Sequence, residues 1–484
     1  MHEQQHAAAN RPFSPIERFF QIRERQSSIG TELRGGVTTF VVMSYILFVN
    51  PVILSVLTQG RGPDVVATAT MTALAAGVAT LAMGLYANYP LALAPGMGLN
   101  AFVAFDLIVG RGLPWQTAMG AVFIEGAIIT VLVLTGFREA VLWAIPLNLK
   151  RAIGVGIGFF ILFIGLVNAG FVRVPVETLQ VVDGRVVGQP SPPITLGNLT
   201  GWPVFVAVFG LFLTALLLVR RVRGALLLGI VLTTGVALLI HALTGADISA
   251  APGVQGALPT ELPPISFATF GAGLNVSIFT ALPALSAALI VFSIMLSDFF
   301  DTMGTVIGIG SEAGWLDEQG RLPNIQRVLL VDSLAAAFGG IAAASSVTTY
   351  IESAAGVAEG ARTGLASVVT GALFLVAIVF APLAGLVPAE ATAPALIVVG
   401  FYMAAVLRDI DFLKVEEGLP ALLTITVMPA TYSITDGIGA GFILWTFLRV
   451  VLGRAREVHW MMYVVSAAFV LYFALALLRS LFGW

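Results

Sequence analysis

Apolar stretches of about 17 to 25 residues, enough to cross a hydrocarbon layer, recur along the chain. The first group lies at 37–58, 64–86, 114–136, 150–170, 202–219 and 222–243. A second follows at 283–306, 325–343, 364–386, 392–407, 417–433, 436–453 and 459–480. Two more segments are short and interrupted: 92–108, ALAPGMGLNAFVAFDLI, and 345–360, SSVTTYIESAAGVAEG. Each is third in a set of seven, and the second set begins 246 positions after the first (283 minus 37). Seven crossings is an odd number, so the two sets must run in opposite directions. The pattern predicts an all-α polytopic membrane protein of two inverted repeats of seven segments, with strand-plus-half-helix elements at segments 3 and 10. Broken segments at matching places in inverted halves point to a transporter's binding site. The stretch 459–480 is extra to this scheme, and its pattern fits a span or an interfacial helix equally.

The placement of basic residues sets the orientation. With the N terminus inside, Arg138, Lys150 and Arg151 fall on the cytoplasmic side, as do Arg220, Arg221 and Arg223. So do Arg321, Arg327, Arg362, Arg408, Lys414, Arg454 and Arg456, whereas 245–282 carries no Lys or Arg and falls outside. This layout needs both short segments to cross with their loops; re-entrant pairs are the alternative. Residues 1–36 are polar, lack the apolar core of a cleavable signal, and read as a cytoplasmic tail.

Composition agrees with a membrane protein. Of 484 residues, 58% are hydrophobic and 11% charged, against about 25% charged in soluble domains. The 51 glycines suit helices that pack closely through small residues. A net charge of -3 gives no reason to expect nucleic acid as a partner. The absence of cysteine excludes disulfides and thiolate metal sites, and no cofactor or resident metal is implied.

The candidate chemistry is carboxylic. Inside the apolar runs stand Asp106, Glu125, Asp298, Asp301, Asp332, Glu352 and Glu359. No Lys or Arg lies deep enough in the pattern to pair with them. A charge at mid-bilayer costs at least about 2.5–3.5 kcal/mol on insertion scales, so these groups must be protonated, hydrated or solvated by helix ends and ligands. Proton symport is therefore the default coupling, with sodium still open. Asp106, near a segment end, and Glu125 and Asp332, single acids on small-residue helices, read as buried hydrogen-bond acceptors. Glu359 borders Arg362 and reads as an interfacial ion pair. Glu352 differs, because it stands where the extended SSVTTY gives way to a half-helix, beside free N–H groups. Asn100 lies about one turn into the other half-helix and offers donor and acceptor. Asp298 and Asp301 share a helical face at i, i+3, and only Asp301 leads into Thr302-Met303-Gly304, a step open to close approach by a ligand or helix.

Four separated motifs, GTELRGGVTTFVVMSYILFVNPVIL, LAPGMGLNAF, FDTMGT and TTYIESAAGVAEGARTGL, resemble the azaguanine-type purine permeases of the nucleobase–cation symporter-2 family, from about Phe19 to the end. The resemblance implies fourteen segments, with segments 1–4 (37–136) and 8–11 (283–386) forming a core. Segments 5–7 (137–244) and 12–14 together with the extra C-terminal apolar segment (387–484) form a gate, and 245–282 is an extracellular loop. It implies a substrate-binding set of Asp301, Glu352, Asn100, Thr349 and Gly98, and proton coupling through Asp301, Asp298 and Glu352. It further implies import of a purine nucleobase (guanine, hypoxanthine or adenine) by proton symport and an elevator motion. A homodimer in the cell membrane, with membrane lipid around it, completes the expectation. An anion, xanthine or uracil carrier of the same architecture is the alternative, ahead of a channel or a membrane enzyme. With four His and no Cys, an enzymatic constellation is poorly supplied.

Overall fold

The fold is that of a computed structural model describing residues 14–135, 144–173, 180–182, 185–187, 194–249, 263–317 and 322–482. Arg138, Arg321, the tail up to residue 13 and part of the 245–282 loop lie outside the described residues. Among the described residues, ten helices are long and apolar enough to cross a membrane.

The first repeat contains α1 (Ile29–Val56), α2 (Val65–Ala87), strand β1 (Leu93–Pro95), half-helix α3 (Met97–Gly110), α4 (Trp115–Leu134), α5 (Leu147–Asn168), α6 (Trp202–Val219) and α7 (Ala225–Thr244). The second contains α8 (Ala284–Glu312), α9 (Ile325–Ile341), strand β2 (Val347–Thr349), half-helix α10 (Ser353–Ala358), α11 (Gly364–Leu386), α12 (Ala389–Asp409), α13 (Val415–Thr431) and α14 (Ile434–Val451). A fifteenth helix, α15 (Trp460–Phe482), follows. α1 starts at Ile29, inside the predicted tail, because Ser28 caps its first turn by accepting from the Thr31 N–H.

Packing repeats the sequence symmetry. α4 lies on α9, and its counterpart α11 lies on α2; α11 also packs on α1, and α4 on α8. α5 and α12, the fifth members of each repeat, pack on each other, while α6 pairs with α7 as α13 pairs with α14. Small residues allow the close approach: a Cβ on Gly400 would stand 2.6 Å from the Gly158 carbonyl oxygen across the α5–α12 seam. Such contacts suit helix association in lipid, where apolar burial between helices adds little and packing decides.

At the centre, β1 and β2 pair antiparallel, with Ala94 opposite Thr348 and Leu93 opposite Thr349. Backbone inside a membrane must be satisfied internally, and two short strands meet that need only through each other and the surrounding side chains. Thr80 on α2 donates its hydroxyl to the Leu93 carbonyl and accepts the Leu93 N–H.

Candidate functional site

The strand pair points both half-helices away from one crossing point, and the candidate residues gather around it. Pro95 ends β1, and its carbonyl accepts from the Tyr350 hydroxyl at 2.5 Å and from Asn100 Nδ2 at 3.4 Å. The Gly96 N–H donates to the Ser346 carbonyl and the Tyr350 N–H to that of Ala92. Both breaks are thus laced to the opposite repeat.

Glu352 sits immediately before α10, half-buried, and its Oε1 accepts from the Tyr45 hydroxyl of α1 at 2.7 Å. Asp301, on α8, is also half-buried, and its Oδ2 accepts from Thr348 Oγ1 at 3.4 Å. Asp298 is fully buried and accepts from Ser346 Oγ at 3.3 Å. The two carboxylates of α8 therefore face different surroundings despite sharing a helical side. Gly304, one turn beyond Asp301, is exposed, and among the described residues a Cβ there would meet nothing within 4 Å. Gly304 leaves room beside Asp301 and does not admit another helix.

Other candidates are placed differently. Asn100 is fully buried, and its Oδ1 has no hydrogen-bond partner among the described residues, the kind of orphaned acceptor that calls for an explanation. Gly98 faces the fifth helix: a Cβ there would lie 3.9 Å from Ile157 Cβ. The Thr349 N–H and hydroxyl both donate to Asp332 Oδ1, at 3.0 and 2.9 Å. Thr302 donates to the other Asp332 oxygen at 2.7 Å. Asp332, read from sequence as a hydrogen-bond acceptor, thus ties α8, α9 and β2 together.

Two expectations about charge need correction. Asp106 does have a cationic partner: Arg111 Nε donates to its Oδ1 at 2.6 Å. The second half of α3 winds as a π-helix over Phe102–Gly110, so the chain returns at i+5, with the Arg111 N–H on the Asp106 carbonyl. Glu359 is an ion-pair residue, but its partners are Arg34 at 3.3 Å and Arg223. Arg362 instead donates to the carbonyls of Val357 and Ala361.

Sequence reasoning missed Tyr45 and Asn50, both fully buried on α1. Asn50 Nδ2 donates to Thr72 Oγ1 at 2.8 Å and to the Ala344 carbonyl at 3.0 Å. The second bond pins the turn before β2, where Ala343 and Ser345 hold φ of 56° and 74°, a left-handed conformation that non-glycine residues rarely adopt. The only signal was a phenol and an amide inside FVVMSYILFVNPVIL, apolar apart from them and Ser44.

Fold, broken half-helices and inward acids define a multi-pass membrane transporter. Residues 30–438 match the permease family, and the chain belongs to it. It is therefore a permease rather than an enzyme. It is 41% identical to the guanine/hypoxanthine permease PbuG of Bacillus subtilis, across 95% of this chain and 99% of that one. To the adenine permease AdeP of Escherichia coli it is 39% identical, across 96% and 98%. Its fold matches that of the transmembrane domain of a cyanobacterial bicarbonate transporter, BicA, with a TM-score of 0.57 at 16% identity, covering 85% of this chain and 96% of that one.

Proposed function

We propose that this permease imports a purine nucleobase together with protons, through a core formed by α1–α4 and α8–α11 that slides against a gate formed by α5–α7 and α12–α14. The observation that carries the substrate reading is the pair of half-buried acids, Asp301 bonded to Thr348 of β2 and Glu352 just after β2, in a chain whose relatives are named as guanine/hypoxanthine and adenine permeases. A carboxylate accepts two parallel N–H bonds from a planar purine edge, a charge-assisted fit. An anion carrier would need a cation where this chain has acids. In this reading the protein lies in the cell membrane with its N terminus in the cytoplasm and works as a homodimer.

Uptake of labelled guanine, hypoxanthine and adenine into proteoliposomes tests both parts. An inward pH gradient should drive accumulation of at least one base, and a protonophore should abolish it. Uptake driven by sodium and indifferent to pH would remove the proton.

The sliding core makes a separate prediction. Gly98 on α3 and Ile157 on α5 stand with a Cβ–Cβ separation of 3.9 Å, inside the range a disulfide spans. The chain has no cysteine of its own, so Gly98→Cys with Ile157→Cys creates a single possible bridge. Oxidation should halt transport and reduction should restore it. Normal uptake by the oxidised, fully cross-linked protein would defeat the sliding core.

A further inference from the structure

We infer that α15 and Arg111 form a latch holding the far end of half-helix α3 against gate helix α14, and that the latch must open for α3 to move. This rests on the reading of α3 as part of a moving core. It also gives α15, supernumerary to two repeats of seven, a role.

The latch is a connected set of five side chains. Asp106, on the second half of α3, is buried, and its two oxygens accept from Arg111 Nε at 2.6 Å and Ser433 Oγ at 2.7 Å. Ser433 is the residue that caps α14, its oxygen also accepting the Asp436 N–H at 3.2 Å. Arg111 Nη2 donates to the Tyr472 hydroxyl at 2.9 Å, with the guanidinium carbon 5.9 Å from the ring centre. Tyr472 donates onward to Asp436 Oδ1 at 3.3 Å. From Asp106, then, one bond leads directly to α14 and the other leads there through α15. α15 is itself fixed to α14, since Ser466 bonds Thr446 at 2.8 Å and donates to the Phe442 carbonyl at 3.1 Å.

Such a clamp has little stretch. Hydrogen bonds fade beyond about 3.5 Å, so sliding α3 past α14 by an ångström or two breaks it. Asp106 and Arg111 travel together with α3, so sliding keeps their ion pair and breaks the bonds to Ser433 and Tyr472. Polar groups left short of partners in a buried setting cost free energy, and the intact set therefore favours the arrangement seen. The second repeat carries a matching device. The strand register relates the repeats by 254 positions (348 minus 94), which carries Asp106 to position 360, beside Glu359. Glu359 pairs with Arg34 of α1 and with Arg223, in the turn between gate helices α6 and α7. At the far end of each half-helix an acid thus engages the gate, Asp106 through Ser433 and Glu359 through Arg223.

Arg111 and Tyr472 are positioning residues, and the test reads conformation. Gly304→Cys places one thiol in the open space beside Asp301, in a chain otherwise free of cysteine. Its maleimide-labelling rate in proteoliposomes, without substrate, is compared in three backgrounds: no further change, Arg111→Gln and Tyr472→Phe. Releasing the latch depopulates the arrangement in which residue 304 lies open. Labelling should slow about fivefold or more in Arg111→Gln, the lower end of conformational coupling. It should slow in the same direction, by less, in Tyr472→Phe, whose melting temperature should stay near that of the parent. Unchanged labelling in Tyr472→Phe, with or without a folded Arg111→Gln protein, would overturn the latch and leave a simple brace. No purine is present in this assay, so its failure is distinct from failure of the substrate reading.

Discussion

Glu352→Gln is expected to weaken guanine and hypoxanthine binding by about 30-fold to more than a thousandfold. Truncating one partner of a buried charged hydrogen-bond pair costs about 2–5 kcal/mol, and each 1.4 kcal/mol is about a factor of ten. Geometry sharpens the expectation. Tyr45 donates to Glu352 Oε1, so a glutamine retains this bond only by keeping its amide oxygen there. That forces the NH2 group toward the ligand, where a ring N–H of guanine or hypoxanthine also needs an acceptor. Two donors then face each other. Adenine, with a different donor and acceptor order, should lose less, so the variant is expected to shift preference as well as weaken binding. Tyr45→Phe gives the control: it removes the bond that orients the carboxylate while leaving the charge, and should weaken binding without reversing preference. Calorimetry with all three bases on both variants decides the matter, and unchanged affinity of Glu352→Gln for every purine would defeat the assignment.

The spans were legible because membrane burial imposes length and apolarity on each helix separately. The predicted 202–219 coincides with Trp202–Val219, and 364–386 with Gly364–Leu386. The repeat was legible for the same reason, since two broken segments at matching positions are local features. What depends on contact between distant residues was hidden. The sequence showed two extended stretches, 92–95 and 345–349, yet nothing local said that they pair with each other, let alone in the register Ala94 to Thr348. Thr349 belonged to a motif, but its commitment to Asp332 follows from where α9 passes. Asp106 seemed to lack a cation because Arg111 lies five residues on, a spacing that an α-helix does not bring together and a π-turn does. Tyr45 and Asn50 sit in a run that is apolar apart from Ser44, and only the fold supplies Glu352 and the strained turn as their partners.

Asp301→Asn should stop transport and flatten its pH dependence, while Asp298→Asn should reduce transport without flattening it. The two acids differ by three residues and occupy different settings. Asp301 is half-buried, bonded by Thr348 at 3.4 Å, with open space at Gly304 beside it. Of the two carboxyls it is the less buried, and so the one expected to meet a substrate and exchange a proton. Asp298 is fully buried against Ser346, in the turn leading to β2, where it can orient the strand that carries Thr348 and hence Asp301. The sign follows from the coupling. With the proposed proton coupling, wild-type uptake should fall as external pH rises, because fewer carriers would hold the proton at the start of the cycle. Asparagine cannot titrate, so any residual uptake in Asp301→Asn should be level across that range. Asp298→Asn keeps the titrating group and should retain the wild-type slope at lower amplitude. Initial uptake rates between about pH 5 and 8 for both variants separate the roles, and a dead Asp298→Asn beside a nearly normal Asp301→Asn would reverse the assignment of the two carboxylates.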